Sequence, residues 1–190
     1  IVTLFTREHG KVRAVAKGAR LTTSRLAGAT EPLTVVQALL SEGSRLDVLS
    51  QAEVREAFPA LRADYGAVVR ASYLCELVDR ITEERNPHPE IFDAAVAALY
   101  LVADARQPDA VLHTAELQLL AMIGYEPRLD ACARCERPFG PDRPPVAFSP
   151  VRGGALCPVC GDAVREETIP CDRATVAALD RLALCDDVRE

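Results

Sequence analysis

The sequence predicts a multidomain α+β protein: a small N-terminal β-barrel or half-barrel, a central all-α helical domain, and an inserted module built on four cysteines. Three observations carry this reading. Apolar residues alternate with period two before residue 52 and recur every three to four residues after it. Two C-x₂-C pairs lie in a stretch rich in proline and glycine. Positive charge is crowded into the first thirty residues, where six basic side chains face one acid, whereas the remainder holds 16 basic and 27 acidic residues.

The bulk composition agrees. Hydrophobic residues make up 49% of the 190 and charged residues 26%, a globular balance that leaves room for one ordinary domain or two or three small ones. The longest apolar run, Ala94–Ala103, falls well short of the ~20 residues a membrane helix needs. No basic leader or cleavage site is visible, and a start at Ile1 with no Met reads as a fragment. Seven cysteines, an odd number with no secretory signal, fit a reducing, intracellular setting better than a disulfide framework.

Ile1–Thr6 is β-rich, Arg7–Gly10 is a turn, and Lys11–Ala16 alternates strictly, with Lys11, Arg13, Val15 and Lys17 on one face and Val12, Ala14 and Ala16 on the other. Gly18–Ala29 reads as a Gly/Ser/Thr/Arg loop. A second strand pair covers Leu33–Leu40 and Arg45–Ser50, and residues 1–51 form the first domain. A short helix over Glu53–Asp64 joins it to a helical domain, residues 52–128, whose 7 basic and 13 acidic groups make it acidic.

Within that domain Ala67, Ala71, Leu74, Val78 and Ile81 make one stripe, which also takes in Cys75 as a small core residue. Asn86-Pro87-His88-Pro89 breaks the helix and restarts the next one, with Phe92, Ala95, Val96, Leu99 and Val102 inward. Gln107-Pro108-Asp109 opens a third helix that Gly124 stops. Residues 166–190 supply a last helix capped by Asp172, with Val176, Leu179 and Leu182 on one side, packing on the helical domain.

Residues 129–165 form the inserted module. Cys132-Ala-Arg-Cys135 and Cys157-Pro-Val-Cys160 have identical spacing, and two residues between cysteines let a tight turn aim both sulfurs at one point. Two such turns make a tetrahedral thiolate cage, the soft environment that Zn²⁺ prefers, with no open position for water, so one structural zinc ion is expected. Gly161 is expected to supply the left-handed turn of the second pair, and Arg134, Arg137 and Arg152 to offset the cage's formal charge. Val146-Ala147-Phe148 with Gly153-Gly154 reads as a hairpin. A redox pair normally stands alone at a helix start after a strand, so thiol chemistry is the weaker reading. Cys171 and Cys185 have no matched partner.

Catalytic patterns are missing. There is no G-x-S-x-G, P-loop or G-x-G-x-x-G, and His9, His88 and His113 lie apart in the sequence, so the chain reads as a non-enzyme. Lys11, Arg13, Lys17, Arg20 and Arg25 form a cationic stripe suited to phosphate contacts with little sequence preference, because Phe5 is the only aromatic residue before residue 51.

Thr6-Arg7-Glu8-His9-Gly10-Lys11 leading to Ala16-Lys17-Gly18-Ala19-Arg20, the segment Ala71–Val78, and Leu119–Pro127 running into Cys132 together resemble the bacterial recombination mediator family RecO. The resemblance spans nearly the whole chain in order. It implies an N-terminal OB-fold, here missing its first strand, a helical domain and a zinc module. It also implies binding of single- and double-stranded DNA, strand annealing, contact with RecR and with single-strand-binding protein, and help in loading RecA during gap repair. Such a protein works in the bacterial cytoplasm at the nucleoid. Carried over by position, the zinc ligands are Cys132, Cys135, Cys157 and Cys160, and the DNA-facing candidates are Lys11, Arg13, Lys17, Arg20 and Arg25. The alternative is a zinc-stabilised protein-interaction adaptor that does not bind DNA directly.

Overall fold

The computed structural model describes residues 1–21 and 24–184 and has a mixed α+β architecture. The chain divides into two compact units, Ile1–Leu112 and His113–Glu190.

The first unit opens with a hairpin of β1 (Val2–Thr6) and β2 (Gly10–Val15), antiparallel in the register Val2↔Ala14 to Thr6↔Gly10. The alternation expected of β2 is realised, with Val12 and Ala14 buried and Arg13 outward. A single 3-10 turn, Gly28–Thr30, lies between β2 and β3 (Val35–Ser41). Next comes β4 (Asp47–Glu56), antiparallel to β3 and parallel to β2 at Ala14↔Asp47 and Val15↔Val48. The four-stranded sheet therefore runs β1-β2-β4-β3, with β1 and β3 at its edges.

Residues 53–56 belong to β4, a correction to the helix expected over Glu53–Asp64. Only α1 (Pro59–Ala63) is helical there. The β3 ladder holds the strand out to Glu56 through the pairs Gln37↔Glu53, Val36↔Val54 and Val35↔Glu56, and Pro59 then sets the first turn of α1.

Asp64 caps α2 (Tyr65–Ile81) by accepting from the Ala67 N–H at 2.6 Å. Ala67, Ala71, Leu74 and Val78 are buried as the period requires, but Cys75 is exposed, which corrects its placement in the core. Desolvation of the sulfur by its neighbours pushes the thiol pKa up. Helix α3 (Pro89–Asp104) buries Ile91, Ala98, Leu99 and Val102, a stripe rotated slightly from the one expected. Helix α4 (Pro108–Met122) runs across the boundary between the two units and ends at Gly124, whose φ is +81°.

A polar and aromatic seam joins the sheet to the α2–α3 region. Arg85 donates its backbone N–H to the Lys11 carbonyl at 3.0 Å and its guanidinium to the buried Asp47 at 2.8 Å. Tyr100 donates to Glu56 at 2.9 Å and meets the Phe58 ring edge-on at 4.8 Å between centroids. Phe5 and Phe92 are 6.2 Å apart.

In the second unit β5 (Ala147–Ser149) pairs with β6 (Gly154–Leu156), the expected hairpin, and also with a two-residue β7 (Ile169–Pro170). Helix α5 (Pro158–Ala163) follows the second cysteine pair. Helix α6 (Arg173–Ala183) begins at Asp172, which accepts from the Thr175 N–H at 2.8 Å. Val176 and Leu179 of α6 pack with Leu129, Phe139, Phe148 and Ala155, so the apolar packing that α6 displays is against the cysteine module, where the sequence had placed it on the helical domain. Cys171 borders this cluster, and Cys185 lies outside the described residues.

Gly10 is the tightest point of the seam. Its φ is +67°, and a Cβ there would come within 2.2 Å of the Asn86 carbonyl oxygen. Gly10→Ala is expected to destabilise the first unit by on the order of 2 kcal/mol or more, because strain and backbone overlap act together. Chemical denaturation measures the loss, and comparison with Gly18→Ala, which shares a positive φ of +74° but meets only Leu21 at 3.8 Å, separates the overlap from the strain.

Candidate metal centre and basic loop

The four cysteine sulfurs converge. Cys132, Cys135, Cys157 and Cys160 place their Sγ atoms within 4.8 Å of one another, and all but the half-buried Cys135 are buried. A tetrahedral ion with bonds of ~2.3 Å to sulfur needs an S···S spacing near ~3.8 Å, so the donor set fits one soft divalent ion with only small adjustments.

Local structure explains the convergence. The first pair turns back on itself, with Cys132 N–H donating to the Arg137 carbonyl at 3.0 Å and Glu136 N–H to the Cys132 carbonyl at 2.8 Å, while Glu136 takes the left-handed φ of 59°. The second pair enters α5, where Cys160 and Gly161 both donate to the Cys157 carbonyl. Gly161 is therefore helical, a correction to its expected left-handed role, because Pro158 starts a helix inside the pair. Ala133 N–H donates to the Ala155 carbonyl, tying the first pair to β6. Leu156 lies fully buried against the sulfurs, with Phe139 and Val164 alongside.

The metal-free thiols are electrostatically unequal. Burial pushes the Cys132 thiol up, but the N–H groups of Cys135, Cys157 and Arg134 outweigh it and bring the pKa down to about 6. The Arg137 N–H lowers Cys135. Cys160 is raised to about 12, first by burial and then by its sulfur neighbours. Four negative sulfurs cannot share this space without compensation, which a divalent cation held there would supply.

The guanidinium at the sulfurs is Arg143, a residue the sequence reading missed. Its Nη1 lies 3.2 Å from Cys135 Sγ and 3.4 Å from Cys157 Sγ. Among the expected cations, Arg152 instead pairs with Glu166 at 2.5 Å, and the side chains of Arg134 and Arg137 are exposed.

The five DNA-facing candidates separate into two groups. Lys11 has only 14% of its side chain exposed, and its Nζ contacts the Asp79 carbonyl at 2.5 Å and the Asp79 carboxylate at 3.2 Å. Arg13 is half exposed and reaches Glu84 at 3.9 Å, while Arg7 forks onto Asp93 at 3.0 Å. These pairs turn the base of the stripe toward acids of α2, α3 and the loop between them. Lys17, Arg20 and Arg25 are exposed in the loop after β2, and none of them has an ion-pair partner among the described residues. No sequence signal separates the groups, because Asp79 and Glu84, which engage Lys11 and Arg13, lie about 70 residues further along the chain.

Two family models cover almost all of the chain. One described as "Recombination protein O N terminal" matches residues 1–58, and one described as "Recombination protein O C terminal" matches residues 62–188. The chain belongs to the RecO family. It is similar to a DNA repair protein RecO of Anaeromyxobacter dehalogenans strain 2CP-C, 43% identical over 184 residues, or 96% of this chain and 71% of that protein. A DNA repair protein RecO of Symbiobacterium thermophilum is 43% identical over 163 residues, covering 85% of this chain and 64% of that one. One from Desulfitobacterium hafniense DCB-2 is 39% identical over 160 residues, covering 84% and 58%. The chain thus spans between 58% and 71% of the length of these relatives. Among the described residues, no helix is long and apolar enough to cross a membrane.

Substituting any one of the four cysteines by serine is expected to drop bound metal from one ion per chain to near zero, by elemental analysis of the purified protein. Limited proteolysis should then cut within residues 132–160, and the wild-type chain should resist such cleavage until a chelator is added.

Proposed function

We propose that this chain is the DNA-binding part of a non-catalytic repair and recombination mediator in which zinc holds the cysteine module. The observation that carries the reading is the exposure of Lys17, Arg20 and Arg25, without ion-pair partners among the described residues, in a member of the RecO family. Such a loop neutralises phosphates and releases their counterions, so binding is broad in sequence and falls steeply with salt. Single and double strands are both substrates of this chemistry. Lys17, Arg20 and Arg25 make the primary contacts, Arg13 supplies the rim, and Lys11 secures the seam.

The strand order β1-β2-β4-β3, with a parallel pair at its centre, supports an OB-type barrel in which a further strand would bridge the β1 and β3 edges. Four thiolates with no open ligand position favour Zn²⁺ in a structural role, with Cys132, Cys135, Cys157 and Cys160 as ligands. Annealing, contact with RecR and single-strand-binding protein, and RecA loading at the nucleoid of a bacterial cytoplasm complete the reading that family membership supports.

The adaptor reading has one observation in its favour, the engagement of Lys11, Arg13 and Arg7 by protein carboxylates rather than by a free face. Fluorescence anisotropy with a labelled single-stranded oligonucleotide at several salt concentrations decides between the two. The triple change Lys17→Glu, Arg20→Glu, Arg25→Glu is expected to weaken binding at least tenfold at low salt. It should also flatten the salt dependence by roughly 0.7 in slope for each phosphate that is no longer neutralised. Absence of salt-dependent binding by the wild-type chain would establish the adaptor, and unchanged affinity in a folded variant would take the phosphate contacts away from Lys17, Arg20 and Arg25.

A further inference from the structure

We infer that Arg143 is the positioning residue of the cysteine centre: its guanidinium bridges one sulfur of each pair and guards those two thiolates against attack while they hold the ion. The inference rests on the zinc reading above and concerns a residue outside the ligand set.

The backbone presents Arg143 rigidly. Gly140 and Arg143 exchange both hydrogen bonds, N–H to carbonyl at 3.2 and 3.1 Å, closing the four-residue turn Gly140-Pro141-Asp142-Arg143. Pro141 sits at the turn position where its fixed φ costs nothing. The turn's stem is anchored in turn, since Phe139 N–H donates to the Asp130 carbonyl at 3.2 Å and the Phe139 ring packs on the sulfur cluster. A side chain leaving such a support loses less freedom on reaching its target than one leaving a mobile loop.

The target is specific. Nη1 reaches Cys135 from the first pair at 3.2 Å and Cys157 from the second at 3.4 Å. Arg143 is half-buried and has no carboxylate partner among the described residues, whereas Arg128 and Arg152 of the same unit are paired with Glu136 and Glu166. Its charge is therefore directed at sulfur. Backbone N–H groups of Cys135, Cys157 and Arg134 already point at the Cys132 sulfur and that of Arg137 at Cys135, and Arg143 extends donor support to Cys157 of the second pair.

Chemistry gives this contact a consequence. A four-thiolate zinc site has a formal charge of −2, which leaves electron density on the sulfurs and makes them nucleophilic. An N–H···S bond from a permanent cation withdraws part of that density from both sulfurs at once. The same contact cross-links the two pairs without the ion, so it also keeps the cage assembled during metal exchange.

The test uses the whole chain as purified with zinc. Arg143→Met keeps the length and apolar stem but removes the donors and charge. Arg143→Lys keeps a charge without the planar fork. Arg137→Met removes a neighbouring cation whose side chain is exposed. Zinc release is followed with a chromogenic chelator after adding iodoacetamide, which transfers its carbamoylmethyl group to a thiolate sulfur as iodide departs. Arg143→Met is expected to release zinc roughly 10–100-fold faster than wild type, with Arg143→Lys intermediate and Arg137→Met at the wild-type rate. Mass mapping should place the first adducts on Cys135 and Cys157.

Equal release rates for wild type and both Arg143 variants, each starting with one zinc per chain, would overturn the inference while leaving the zinc reading intact. Equal acceleration in Arg137→Met would also overturn it, by showing that net charge alone matters. A wild-type chain that never holds metal would remove the zinc reading itself, and this inference with it. Should Arg143→Met fail to fold, the comparison of Arg143→Lys with wild type still decides.

Discussion

Like charges brought into close quarters must be compensated, and both units of this chain are shaped by that constraint. Four thiols meeting within 4.8 Å cannot all ionise without an opposing charge, and burial raises Cys160 even as backbone N–H groups lower Cys132. A divalent ion held by these sulfurs would resolve the conflict, beside a small apolar cluster with Phe139 and Phe148 at its border. In the first unit the cations of β2 meet the same requirement with protein carboxylates, Asp79 for Lys11 and Glu84 for Arg13. Compensation inside the protein is what removes a charge from the set available to a ligand. Among the described cations of β2 and the loop after it, subtraction leaves Lys17, Arg20 and Arg25 without an ion-pair partner.

That subtraction marks the limit of the sequence. Alternation along Lys11–Ala16 correctly identifies the inward face of β2, since Val12 and Ala14 repeat with period two whatever packs on them. The proline-flanked break at residues 86–89, the Asp64 and Asp172 caps and the stop at Gly124 are equally local signals, and the structure has each of them. The sulfur cluster was legible because C-x₂-C spacing encodes its own turn. What escaped was decided by non-local partners. Residues 53–56 have a helix-like composition but join β4, because β3 offers a ladder to pair with. Cys75 sits next to Leu74 in sequence yet is exposed, since one residue along a helix is a turn of about 100°. Arg143 lies eight residues beyond Cys135, and only the turn at Gly140 folds it back over the sulfurs.

Sequence families divide this chain between residues 58 and 62, but the physical connections of the first unit do not stop there. The β-sheet and the helices that follow are stitched by interactions of different kinds, which is why they behave as one compact body. Asp47, buried at the head of β4, would be an isolated charge without the Arg85 guanidinium and the Gly43 N–H. Arg85 can reach it only because its own backbone takes the left-handed conformation and its N–H caps the Lys11 carbonyl. Glu56, at the end of the same strand, is held below the usual carboxylate range by the Phe58 N–H and the Tyr100 hydroxyl. Each of these carboxylates comes from the sheet, and Arg85 and Tyr100 come from the helical region. Removing the helices would therefore leave buried or constrained acids without their partners, a larger penalty than that of stripping away surface packing alone. A sheet fragment ending at residue 58 keeps the cationic loop but loses the frame that fixes β2 beneath it. The placement of Lys17, Arg20 and Arg25 is in this sense a property of the whole first unit, with Asp79 of α2 holding Lys11, Asp93 of α3 holding Arg7, and Glu84 of the loop between them reaching Arg13.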